Sequence, residues 1–125
     1  MVEDLGIGGL EKVVASIATG LNKNKYEVEV WCLAKGGEIA DELIAKNISV
    51  KILGLNNYHN PFQIILLAKY LKQSKIDIIH SHGYFANTFG RLASILARVP
   101  VKIVHIHTTD YIHKKKNFLV EKLLS

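Results

Sequence analysis

The sequence predicts an α/β fold built on a doubly wound parallel sheet, and three observations carry that prediction. Helical stretches with one apolar face alternate with short β-branched stretches along the chain. The run Ile76-Asp77-Ile78-Ile79-His80 is nearly all apolar, as expected of a strand covered on both faces of a parallel sheet. A glycine-rich turn, Leu5-Gly6-Ile7-Gly8-Gly9, opens directly into the first helix, as such turns do at the carboxyl end of a parallel strand. Residues 1–4 supply only the last positions of that strand. The expectation is therefore one partial domain over residues 1–125, truncated at both ends and with its central first strand largely missing. Two neighbouring strands would then keep unpaired backbone groups.

The elements follow in order. Leu10, Val13, Val14, Ile17, Ala18 and Leu21 recur at helical spacing against Glu11, Lys12, Ser16 and Thr19. Tyr26 to Leu33 reads as a strand in which Tyr26, Val28, Val30 and Cys32 alternate with Glu27, Glu29 and Trp31, and Gly36-Gly37 ends it. A helix near Glu38 to Lys46 presents Ala40, Leu43 and Ile44, and Ile48 to Leu53 makes the next strand. Pro61, after the turn-forming segment from Asn56 to Asn60, suits the first turn of a helix carrying Ile64, Leu67, Ala68 and Leu71. The strand from Ile76 to His80 leads through Gly83 into a helix whose stripe is Phe85, Phe89, Leu92, Ala93 and Leu96. Pro100 stops that helix, Val101 to Ile106 is a strand, and a last helix begins near Lys115 with Leu119, Val120, Leu123 and Leu124.

Composition narrows the function classes. With 49% hydrophobic and 22% charged residues the chain is an ordinary globular one. No apolar run approaches the roughly 20 residues that span a bilayer, and the first residues lack the pattern of a secretory signal, so a cytoplasmic location is the expectation. Cys32, the one cysteine, lies in an apolar stretch and reads as a buried thiol. The net charge of +5 is dispersed, without the interleaved aromatics of a nucleic-acid binder. Its one concentration, His113-Lys114-Lys115-Lys116, reads as a solvated helix start or as a contact with an anionic membrane surface, which would place the protein peripherally on the inner membrane face.

Two constellations could carry chemistry. Gly6, Gly8 and Gly9 before a helix suit an anion, because backbone amides can approach it and the helix dipole favours it. The dinucleotide pattern would need glycine where Glu11 stands, and the lysine and hydroxyl of a P-loop are absent, which argues against NAD and ATP. A tight turn without a ligand is the plain alternative. The second constellation is His80-Ser81-His82-Gly83 and His105-Ile106-His107-Thr108-Thr109-Asp110, both at exits of neighbouring strands. Alternation puts His80 and His82 on one side of their strand, so a metal site from the His-x-His pairs plus Asp110 is physically open beside a structural role for the imidazoles. Cys32 has no evident base, and Ser81 lacks the glycine-flanked nucleophile elbow.

Three stretches resemble the N-terminal domain of glycosyltransferase family 4, the retaining GT-B enzymes that use nucleotide sugars. They are Leu5-Gly6-Ile7-Gly8-Gly9-Leu10-Glu11-Lys12-Val13-Val14, Ile76 to Asn87 with His80-Ser81-His82-Gly83 at its centre, and Gly90-Arg91-Leu92-Ala93 through Val99-Pro100-Val101 to His107-Thr108. The resemblance implies an acceptor-side half that faces a second, nucleotide-sugar-binding domain across a cleft. It places Gly8 and Gly9 beside the donor diphosphate and acceptor, Glu11 next to them at the helix start, His82 near the transferred sugar as the catalytic residue, and His107 beside the acceptor pocket. Neither a cofactor nor a metal is implied. The implied acceptors are lipid-linked saccharides or surface polysaccharide precursors. Nothing in the chain matches the paired-glutamate motif of the second domain, so the chain alone is not expected to transfer sugar. An orphan binding module that pairs with a partner, and a metal-dependent hydrolase using the histidine pairs, are the rival readings.

Overall fold

The structure, a computed structural model, describes residues 1–55, 57 and 60–106. In chain order the described elements are α1 (Gly9–Gly20), β1 (Glu29–Cys32), α2 (Glu38–Ala45), β2 (Ser49–Ile52), α3 (Pro61–Gln73), β3 (Ile78–His82), α4 (Tyr84–Leu96) and β4 (Val101–His105). The alternation is the expected α/β one, and both strand pairs are parallel. The helix expected near Lys115 lies outside the described residues.

The chain forms two compact units, Met1–Asn56 and Asn57–Ser125. In the first, β1 pairs with β2 from Glu29↔Ser49 to Cys32↔Ile52. On its other side β1 meets the extended start of the chain: Val2 bridges Cys32 in parallel, with the Val2 amide donating to the Trp31 carbonyl at 3.0 Å and the Leu33 amide to the Val2 carbonyl at 2.9 Å. Residues 2 and 3 thus take the place expected for the end of a first strand. Val2, Leu5, Val14, Ala18, Val30, Cys32, Ile39, Ala40, Leu43 and Ile48 form one buried cluster. Trp31, expected on the polar side of β1, is buried as well; its indole Nε1 donates to Glu29 Oε2 at 2.7 Å while Lys51 Nζ lies over the ring.

In the second unit β3 pairs with β4 from Ile78↔Val101 to His82↔His105, and α4 packs on both strands and on α3. Asn60 caps α3 by accepting from the Phe62 amide at 3.0 Å, with Pro61 in the first turn as expected. Ile78, Val101 and Ile103 are exposed, so the strand expected to be covered on both faces is open on one of them at its start, while His82 at its end is buried.

Several boundaries and faces differ from the sequence reading, each for a local reason. β1 begins at Glu29 and not at Tyr26, because the Lys25 and Tyr26 amides donate to the Asn22 carbonyl in a turn. β3 runs two residues later than expected, because the Ile76 amide is taken by the Leu71 carbonyl at the end of α3. In α4 the buried residues are Ala86, Asn87, Phe89, Gly90, Ala93 and Ser94, while Phe85 and Leu96 are exposed. The small residues let the helix lie close to its neighbours, so the inward face is centred on them and not on the bulkiest apolar groups. In α2 Ala40 and Leu43 are buried as expected, but Ile39 is buried with them and Ile44 is exposed.

Three helices end in the same way. Asn47, Lys75 and Arg98 adopt positive φ of 62°, 52° and 56° one residue beyond the caps of α2, α3 and α4. In each case the next residue, Ile48, Ile76 or Val99, donates its amide back to the carbonyl of Leu43, Leu71 or Ser94. These are Schellman motifs, in which glycine is the unstrained choice at the left-handed position. A side chain there costs about 1 kcal/mol. Lys75→Gly is therefore expected to raise the stability of the second unit by about 1 kcal/mol, read as a higher denaturation midpoint at unchanged slope.

Candidate functional site

Each unit brings sequence-predicted residues to the carboxyl end of parallel strands. In the first, Leu5 follows the segment paired with β1, and the turn Gly6 to Gly9 enters α1. Asp4 Oδ1 accepts from the Gly6 amide at 3.1 Å, an Asx turn that bends the chain upward from the strand. Gly8 is the N-cap of α1 with extended backbone, and Glu11 is the acidic residue of the first turn. The Glu11 carboxylate folds back over Gly8, where a side chain would collide with it. A carboxylate at the third helical position favours the helix N-terminus in the manner of a capping box. Gly9 faces open space.

The position of this turn depends on a second glycine pair that the sequence reading treated only as a strand terminator. Gly37 is the N-cap of α2 with φ of 156°, and a Cβ there would lie 2.5 Å from the Leu5 carbonyl oxygen and 2.6 Å from the Gly6 nitrogen. The Ile39 amide donates to the Leu5 carbonyl at 3.0 Å. The backbone entering the glycine turn is thus seated on the start of α2.

In the second unit His82 is the last residue of β3, buried at 3% exposure, and Gly83, with φ of 86°, turns the chain into α4. Register sets His105 of β4 beside His82 and Ile103 beside His80. His80, His82 and His105 consequently share one face. His80 stacks on His82 with centroids 4.2 Å apart and on His105 at 5.6 Å, and the His82 and His105 rings are tilted against each other at 5.0 Å. On the opposite face Ser81 is buried, its Oγ donating to the Ile103 carbonyl at 3.4 Å. Asn87, fully buried one turn into α4, donates Nδ2 to the His105 carbonyl at 3.2 Å and so ties the helix to the end of β4.

The structure brings Gly8, Gly9 and Glu11 together in one unit, and it brings His80, His82 and His105 together in the other. His107 and Asp110 lie outside the described residues. Sequence reasoning weighed His105 only within the His-x-His metal alternative and gave the acceptor-side role to His107; the register that sets His105 beside His82 comes from the fold. Asn87 stood in the quoted motif but was not singled out, since a buried asparagine looks like any polar residue of an amphipathic helix until the carbonyl it serves is known.

Cys32 is fully buried in β1, and burial pushes its thiol from 9.0 up to about 11. The unfolded thiol ionises first, so its contribution to stability is complete below pH 9.0 and is lost as pH rises toward 11. Two results are expected. The thiol resists alkylating reagents in the folded protein, and the fall in urea midpoint between about pH 8 and about pH 10.5 is smaller in Cys32→Ala.

Parallel strand pairs that deliver glycine turns and histidines to the starts of helices at their carboxyl ends define a Rossmann-like α/β protein. Residues 7–124 match the sequence profile of Glycosyltransferase Family 4, and the chain belongs to that family. It is 34% identical over 103 residues to the capsular polysaccharide biosynthesis glycosyltransferase CapH of Staphylococcus aureus; the aligned stretch takes up 82% of this chain and 28% of that protein. The chain therefore spans little more than a quarter of the length of the curated relative it matches. No solved structure matches it. None of the helices among the described residues is long and apolar enough to cross a membrane.

Proposed function

We propose that this chain is the acceptor-side half of a GT-B glycosyltransferase that moves a sugar from a nucleotide donor to a lipid-linked or polysaccharide acceptor with retention of anomeric configuration. The observation that carries the reading is the placement of the Gly8-Gly9 turn and of His82-Gly83 at carboxyl ends of parallel strands, each leading into a helix N-terminus. In such a transfer the bond from the anomeric carbon to the diphosphate oxygen breaks, the bond to the acceptor oxygen forms, and the acceptor proton leaves with the diphosphate. Negative charge grows on the departing diphosphate. The amides at Gly8 and Gly9 suit that charge, and the His82 imidazole suits a hydrogen bond to the transferred sugar. Glu11, the acidic residue of the first turn of α1, is assigned to the acceptor, with its carboxylate accepting from a hydroxyl. His107 is assigned to the acceptor pocket.

Transfer requires groups on both walls of a closed cleft, and the donor wall is assigned to a second domain. On this reading the chain by itself turns over no nucleotide sugar. The capsular polysaccharide role in the name of the staphylococcal relative supports a surface-polysaccharide acceptor, which fits a cytoplasmic protein resting on the membrane through Lys114 to Lys116. The test is product analysis with a polypeptide in which this chain is joined to a nucleotide-sugar-binding domain. The α or β configuration of the donor should persist in the product, and an inverted product would overturn the mechanism. Gly9→Ala is the companion variant: its Cβ enters open space, so stability should hold or rise by about 0.5 kcal/mol, while the donor KM should rise about tenfold.

A further inference from the structure

We propose that His80, His82 and His105 form a binding site for a late first-row divalent metal ion, with Zn²⁺ as its ligand. One ligand nitrogen from each of the three lies within 4.8 Å of the others. Their placement is set by the β-ladder. His80 and His82 are two residues apart on one side of β3, and His105 is the register partner of His82 on β4. Ligands fixed on rigid strands need little ordering when the ion arrives.

Tetrahedral Zn²⁺ holds imidazole nitrogens at about 2.0–2.1 Å, which puts neighbouring nitrogens about 3.4 Å apart. The widest pair must therefore close by up to about 1.4 Å, with the rings turning their edges to a common point. His80 and His105 are half-buried, and His82 is buried. Three protein ligands leave a fourth position for water, the arrangement of an open zinc site.

The donor set decides the class of ion. Among the described residues it holds imidazoles alone. Imidazoles favour Zn²⁺, Ni²⁺ and Cu²⁺, whereas Mg²⁺ and Ca²⁺ require oxygen ligands. The site is thus unlike the oxygen-rich sites that hold a metal on a diphosphate, and its existence does not depend on the sugar-transfer reading.

The test is titration of the 125-residue chain with Zn²⁺, and with Co²⁺ as a coloured probe. One equivalent should bind with a dissociation constant of about micromolar, Co²⁺ should show the visible bands of a tetrahedral site, and binding should weaken as protons compete at acid pH. His80→Gln, His82→Gln and His105→Gln should each weaken binding by at least about tenfold, while the double variant His59→Gln/His113→Gln should retain it. Imidazole ¹⁵N shifts of the unaltered protein give a reading that survives if a variant fails to fold: Zn²⁺ should move the resonances of His80, His82 and His105. Absence of saturable binding, binding that persists in His80→Gln/His105→Gln, or shifts confined to other histidines would overturn the site. Tight Mg²⁺ binding at these histidines would overturn the ion class.

Discussion

His82→Gln, in a polypeptide that joins this chain to a donor-binding domain, is expected to lower kcat by about 10²–10³ with a small change in donor KM. This is the scale seen when one preorganised hydrogen-bond donor is removed from a site of developing charge. Glutamine is preferred to alanine because His82 is buried at the end of β3 and in ring contact with His80 and His105; truncation would open a cavity and mix a stability loss into the rate. Comparing the loss of kcat with the folded fraction separates the two causes. A variant that merely unfolds loses active molecules, which lowers the apparent kcat in proportion to lost near-ultraviolet circular dichroism, whereas loss of transition-state contact lowers it at full ellipticity. His80→Gln and His105→Gln are expected to cost about tenfold or less, since both act through their ring contacts with His82. A kcat within about threefold of the parent for His82→Gln would remove it from the catalytic machinery.

The zinc site and the proposed transfer share an atom group, and this links two otherwise separate measurements. An ion that draws the His82 nitrogen toward His80 and His105 takes it from any sugar hydroxyl. Zinc would then inhibit transfer, and a chelator would restore it. The inhibition would vanish in a variant that keeps His82 and loses the other two ligands, His80→Gln/His105→Gln. Failure of zinc to bind leaves the role of His82 in transfer untouched, and failure of transfer leaves the titration untouched.

How much of this was legible in the sequence differs by level. The alternation of helices and strands, the parallel pairing and the family could be read because they rest on patterns spread over many residues. Burial was read less well wherever two apolar faces compete on one helix. In α4 the stripe of large groups at Phe85, Phe89, Leu92 and Leu96 carries more hydrophobicity than the face at Ala86, Phe89, Gly90 and Ala93, yet close packing selects the small residues. In β1, Glu29 and Lys51 gave no hint that Trp31 would be buried between them, since that required knowing that Trp31 and Lys51 are register partners. The histidine trio was half legible. His80 and His82 follow from alternation within one strand, but His105 enters through register between strands, which only the fold supplies.

Gly37 carries the largest expected effect on stability. Gly36→Ala and Gly37→Ala change neighbouring residues in one turn, yet their outcomes should differ sharply. At Gly36 the added Cβ would meet the Cδ1 of Ile52 at 2.8 Å, the far end of a side chain that is largely exposed and can rotate away. The cost there is about 1 kcal/mol or less. At Gly37 the obstacles are the carbonyl of Leu5 and the nitrogen of Gly6, which are backbone, and the φ of 156° is itself strained for any side chain. Relief would require moving the segment that pairs Val2 with β1 and that supplies the Leu5 carbonyl to the first turn of α2. Leu5 is fully buried in the same cluster as Val30 and Leu43, so a backbone shift there also opens the core. Gly37→Ala is therefore expected to destabilise the first unit by about 3 kcal/mol or more, with backbone strain and lost packing acting together. Cys32 reports it directly: in Gly37→Ala the thiol should become reactive at neutral pH, while in Gly36→Ala it should stay protected. Equal protection in the two variants would mean that the approach of Leu5 to Gly37 does not hold the glycine turn in place.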